Sequence, residues 1–144
     1  MTRAFLCLTN FCLTIGIASA ASPDFEREVA PLLARRCLGC HSGSDAQGSL
    51  NLTTLAAARM GGDSGPALLP GNLDESGLWQ RIVADEMPPK HPLPEHERLV
   101  IREWIAAGAN WSLPAIDPLR YSSAERAGYD WWSLQPLVRP PVPA

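Results

Sequence analysis

Cys37-Leu38-Gly39-Cys40-His41 is the stretch on which the reading of this chain turns. Two thiols stand three residues apart, and an imidazole follows the second at once. On helical backbone that spacing brings both sulfurs to one side, about one turn apart, with the ring beside them. The residues just before it favour such a turn. Phe25, Val29, Leu32 and Leu33 recur at the i, i+4, i+7, i+8 spacing of a single buried helix face. Ser22 is placed to cap that helix, Pro23 to open it, and Asp24, Glu26 and Glu28 lie near the positive end of its dipole. Pro31 lacks a backbone donor. It predicts a kink or split near Ala30, since an unbroken helix there would cost about 3 kcal/mol.

Downstream, a weak helical pattern covers 52–60 and stops at Gly61-Gly62. A third helix is expected over 74–84, with Leu78, Trp79, Ile82 and Val83 as its apolar stripe. The fourth is opened by Pro94, carries Glu95 and Glu97 in its first turn and closes at Gly108. Its face is Val100, Ile101, Trp104 and Ile105. No segment alternates with period two, so the fold class expected is all-α, with the first helix crossing the fourth and Phe25 and Val29 near Trp104 and Ile105. No internal repeat is present.

The mature cysteines are fewer than the sequence shows. Arg3 is followed by an uncharged, mostly apolar run to Ala18, and Ala18-Ser19-Ala20 fits a small-x-small cleavage site that leaves Ala21 first. The run is shorter than the roughly 20 residues of a membrane span, and Thr9, Asn10 and Thr14 interrupt it. Residues 1–20 therefore read as an export signal, which takes Cys7 and Cys12 with it. Of four cysteines only Cys37 and Cys40 remain. The rest is that of a globular protein: 46% apolar, 19% charged, net charge −3. No Lys/Arg cluster offers a stripe for nucleic acid, and no membrane span is expected after signal cleavage.

The pair then has to be explained in an oxidising compartment. Two thioether bonds to the vinyl groups on one porphyrin edge need two cysteines about a helical turn apart, and the next histidine can reach the iron through Nε2. C-x-x-C-H is read as the attachment site of a c-type haem on this ground. A thioredoxin-like pair would sit beside a βαβ unit, and no strands are expected. Structural zinc needs four ligands, and only His91 and His96 remain, far along the chain. A plain disulfide closing so short a loop gains little.

Met87 is the candidate for the second axial ligand, in Asp85-Glu86-Met87-Pro88-Pro89 between the third and fourth helices. Acidic residues before it and prolines after it mark a stiff loop, not a buried helix face. His91, in the looser Lys90-His91-Pro92, is the rival. A ligating histidine also donates its other ring N–H to a fixed acceptor, and the carbonyl of Pro66, in Gly65-Pro66-Ala67-Leu68, is the acceptor expected. Trp79, Leu68 and Ile82 are the candidates for packing on the ring.

These motifs resemble class I cytochrome c, with C-x-x-C-H near the mature start, G-P-x-L next and M-P-P ahead of the last helix. Val29-Ala30-Pro31-Leu32-Leu33-Ala34-Arg35-Arg36-Cys37, Gly61-Gly62-Asp63-Ser64-Gly65-Pro66, Pro70-Gly71-Asn72 and Glu86-Met87-Pro88-Pro89-Lys90 are closer still to the cytochrome c domain found at the N-terminus of large planctomycete secreted proteins. The resemblance covers about 25–111. It implies Cys37 and Cys40 as thioether sites, His41 as proximal ligand and Met87 as distal ligand. Asp130-Trp131-Trp132-Ser133-Leu134-Gln135-Pro136 is similar to the joint at which such proteins pass into a further domain.

The expected organisation is a signal peptide over 1–20, a cytochrome c domain over 21–112 and a Pro-rich linker over 113–144 leading to a further domain. Six of the 14 prolines follow Ser112. The expected architecture is a small cytochrome c fold of four short helices around one covalent haem c. Its expected work is electron transfer outside the cytoplasm, not catalysis, with a redox protein or small molecule as donor and acceptor. The alternative is a haem-based sensor or interaction module regulating a larger protein.

Overall fold

Pro31 shapes the first helix of the computed structural model, which describes residues 22–123 and 126–137. The export signal expected at 1–20, Cys7 and Cys12 lie outside the described residues. Asp24 accepts a hydrogen bond from Arg27 N at 2.8 Å, and Glu28 accepts one from Asp24 N at 2.8 Å. The backbone then opens as a π-helical turn, Phe25–Val29, in which Val29 N reaches Asp24 O and Ala30 N reaches Phe25 O, each five residues back. Helix α1 (Ala30–Arg36) continues from it with Pro31 in its first turn. A widened turn accommodates both the missing donor and the proline ring, so the split falls where the proline requires it.

Helix α2 (Leu55–Met60) starts later than the apolar pattern, because Thr54 is held extended and its Oγ1 accepts from Ala57 N at 3.2 Å. It ends at Gly61, whose φ of 79° and approach to Gly65 O, 1.8 Å from where a Cβ would stand, admit no other residue. Helix α3 (Gly77–Val83) also starts late. Ser76 before it is buried, accepting from Leu69 N at 3.0 Å and donating to Asn72 O at 2.6 Å, which folds 69–76 back on itself. Helix α4 (Glu95–Ala106) runs as expected from Pro94, and the chain turns out of it at Ala107-Gly108.

The core lies where the π-turn crosses α4. Val29, Leu33, Ile101, Trp104 and Ile105 are all 1% exposed or less. Phe25 stands between two tryptophans, its ring centroid 5.9 Å from that of Trp104 and 4.5 Å from that of Trp111. Trp104 donates Nε1–H to Asn110 O at 2.8 Å, so its one polar atom is satisfied inside. The described residues form no strand, only one isolated bridge between Gly62 and Gly65. The described residues thus form an all-α arrangement of four short α-helices, consistent with the small cytochrome c fold expected.

The packed body does not end at 112. Ile116 is 2% exposed and its N donates to Thr53 O at 2.7 Å. Leu113 and Tyr121 lie against the core, and Ser112 Oγ donates to Glu26 Oε1 at 3.0 Å. Residues 113–121, which the sequence reading placed in the linker, thus pack on this body. Prolines fix φ, but they leave the apolar residues between them free to dock. Trp131 and Trp132, at 42% and 79% exposed, stay outside this body. No helix among the described residues is long and apolar enough to cross a membrane.

Candidate functional site

The two cysteines face the same way because Leu38 faces the other. Cys37 N and Leu38 N both donate to Leu33 O, at 2.8 and 3.0 Å, four and five residues back, so the chain leaves α1 in a widened turn. Leu38, 1% exposed, is driven into the core. Cys40 N and His41 N then both donate to Cys37 O, at 3.1 and 2.9 Å. This closes the motif into one turn and leaves Cys37, Cys40 and His41 on the wall of a cleft.

That cleft has a volume of about 260 Å³, close to the lower bound of the roughly 300–1,000 Å³ typical of small-molecule sites. Its apolar walls come from Leu50, Leu52, Leu78, Ile82 and Leu93. Met87, Pro88, Pro89 and Pro66 line it too, and Arg36 and Arg81 are on its border.

Met87 is held by backbone. Glu86 N and Met87 N both donate to Arg81 O, at 3.0 and 3.2 Å, beyond the end of α3. Arg98 of α4 ties the other side, pairing with Asp85 and donating Nε–H to Leu93 O at 2.6 Å. The half-buried Met87 thus sits in a loop clamped between two helices. His91 is exposed and is not on the cleft.

His41 has a different partner from the one expected. Its Nδ1 lies 3.1 Å from Gln47 O, and with Nδ1–H donated there, Nε2 carries the free lone pair. Pro66 lines the cleft, but its carbonyl is turned towards Gly77, 3.2 Å from where a Cβ of that glycine would be. The assignment of Pro66 as acceptor is therefore corrected to Gln47. Of the residues expected to pack on a ring, Ile82 lines the cleft while Leu68 and Trp79 do not. Leu68 is 1% exposed within the core, and Trp79 rests part-buried against it. One turn of α3 decides this: Leu78 and Ile82, at i and i+4, share the cleft face, and Trp79 falls beside it.

Leu50, Leu52 and Leu93 were not legible as site residues. Isolated leucines in irregular segments carry no periodic signal, and only their place in the turn makes them walls.

The donor set suits a c-type haem. It offers two separate thiols, a neutral imidazole with Nε2 free and a thioether, all lining one apolar cleft. It does not suit thiol–disulfide exchange. Burial, with Glu97 adding to it, pushes the Cys37 thiol up to about 12, the reverse of the lowered value such a cysteine needs. Nor, among the described residues, do three His, Cys, Asp or Glu side chains gather as a metal site, as zinc would require.

Residues 37–91 match the family model described as planctomycete cytochrome C. No curated protein and no solved structure matches the chain. The match bears out the resemblance read from the sequence, and it makes this segment a haem-binding module of the electron-transfer kind, with haem c as its cofactor.

Proposed function

We propose, taking residues 37–91 as a segment of the planctomycete cytochrome C family, that the protein binds one haem through thioethers at Cys37 and Cys40 and carries single electrons outside the cytoplasm. The observation that carries the reading is the convergence of Cys37, Cys40, His41 and Met87 on one apolar cleft. His41 would hold the iron through Nε2 and Met87 through its sulfur. When bound, the haem supplies a one-electron couple, and its potential is raised by a histidine–methionine ligand pair.

The chain's own residues do the rest. Leu38 orients the two cysteines, Gln47 O fixes the tautomer of His41, and the Arg81 and Arg98 contacts hold the Met87 loop. Leu50, Leu52, Leu78, Ile82 and Leu93 keep water from the ring. With His41 and Met87 both committed to the iron, no iron position would be left for a substrate, which supports a carrier.

The export reading rests on residues 1–20, since covalent haem is attached outside the cytoplasm. The redox partner is a protein or small molecule that meets the cleft mouth. The exposed Trp131 and Trp132 support a further domain as their cover, reached through the chain after Tyr121. The test is a redox titration of the exported protein followed by its absorption spectrum. A single low-spin species titrating as one one-electron wave is expected. A high-spin spectrum, or reduced protein that readily binds carbon monoxide, would favour the sensor reading instead.

A further inference from the structure

Gln47, the acceptor of the His41 proton, is itself held from behind. Gln47 N donates to Cys40 O at 2.9 Å and Leu52 N to His41 O at 2.9 Å, so the loop begins and ends on the haem motif. Between those ties the turn at 47–49 leans on a second loop. Gly62 and Gly65 form a bridge, with Gly62 N to Gly65 O at 3.2 Å and Gly65 N to Gly62 O at 2.9 Å, and Asp63 N donates to Gly48 O at 2.9 Å. The two backbones touch at Gly62. A Cβ there would stand 2.2 Å from Gly48 O, 2.9 Å from Leu50 N and 3.0 Å from Ser49 C. Every close atom is backbone, so no side chain can swing aside to make room.

We propose that Gly62 is a positioning residue for the His41 ring: its bare backbone lets the 61–65 loop press the 47–49 turn into the place from which the Gln47 carbonyl accepts the Nδ1 proton. The inference rests on His41 being an iron ligand. A carbonyl held in place by rigid backbone orients the ring, and by accepting its proton it makes Nε2 a stronger donor. Stronger donation favours the ferric state, so loosening the turn raises the reduction potential. Outer-sphere partners of this kind alter metal affinity by about 10–100-fold. A tenfold change between the two oxidation states corresponds to about 59 mV for one electron.

The test compares the holoprotein with Gly62→Ala, Asp63→Pro and Gly71→Ala. Asp63→Pro removes the N–H that tethers Gly48 O and sets the ring Cδ where that hydrogen was, so it displaces the turn from the Gly48 side. Gly71→Ala is a control for a destabilising glycine replacement away from the turn, since Gly71 has a positive φ, 78°, in an exposed turn with nothing within 4 Å of a Cβ. Gly62→Ala should raise the potential by an amount of the order stated and shift the iron–histidine vibration of the reduced protein. Asp63→Pro should do the same to a smaller degree, and Gly71→Ala should lower only the melting temperature.

An unchanged potential in Gly62→Ala, or an equal shift in all three, overturns the proposal. Should Gly62→Ala fail to take up haem, Asp63→Pro decides, and an unchanged potential there overturns it as well. His41→Ala separates the two levels of the argument. If that variant keeps the spectrum of the unsubstituted protein, His41 is not a ligand, the functional reading is at fault and the proposal falls with it.

Discussion

Met87 and His91 stand four residues apart, and their surroundings assign them different work. Met87 is half-buried on the cleft, its amide and that of Glu86 tied to Arg81 O, whereas His91 is exposed and does not line the cleft. Replacing Met87 with Ala should remove the far-red sulfur-to-ferric-iron band and let carbon monoxide bind the reduced protein. Replacing His91 with Ala should change neither. The opposite pattern, read from the same two spectra, would move the distal ligand to His91. The candidates lining the cleft were legible because residue type and flanking prolines announce them. The acceptor for His41 was not. A backbone carbonyl has no signature in residue type, and Gln47 gains its role from the turn that Gly48 and Ser49 make at φ of 64° and 55°. The G-P-x-L resemblance pointed to Pro66, whose carbonyl is turned the other way.

The helices followed their apolar spacing, and their ends followed local hydrogen bonds. Helix α4 could be read almost whole, since Ile101, Trp104 and Ile105 lie on one face and all three are buried. Helices α2 and α3 were read too long, because the apolar pattern continues through Thr54 and Ser76 while their backbones do not. The segment after Tyr121 was read as part of a Pro-rich linker, and it holds a clasp. Asp130 accepts from both Ser122 N and Ser122 Oγ at 2.6 Å. The Ser122 hydroxyl is the largest of the causes that hold the Asp130 carboxyl below its ordinary 3.8. The sign of the pH effect follows. A carboxylate with a lowered folded value stabilises the clasp fully above pH 3.8, and that contribution is lost as pH falls through the lowered value. Protection of the Ser122 amide, its exchange measured against the unstructured peptide at the same pH, should therefore fall below pH 3.8 and hold steady above it. Asp130→Asn should flatten the profile, and a profile unaltered by that change would remove Asp130 from the account.

The molecule as a whole is small for its task. A single domain of this length buries modest surface, so a bound ring that fills the cleft should stabilise it strongly. The proline count suggested a tether from 113 onward, but composition does not show which residue between two prolines is an anchor. Ile116, 2% exposed and bonded to Thr53, is that anchor. A chain ending at Ser112 should melt more than about 4–8 °C below the full chain, the drop that roughly 1 kcal/mol makes in a domain of this size. Ile116→Ala in the full chain should cost about 2–5 kcal/mol. Equal melting of the full and shortened chains would return 113–121 to the linker. The central claim, that Cys37 and Cys40 carry a haem by covalent bonds, is tested most directly by mass. The exported protein is unfolded in acidified organic solvent and weighed. The account predicts that the colour stays with the polypeptide and that its mass exceeds that of the cleaved chain by one haem. Haem that extracts freely, leaving the bare polypeptide mass, would contradict it.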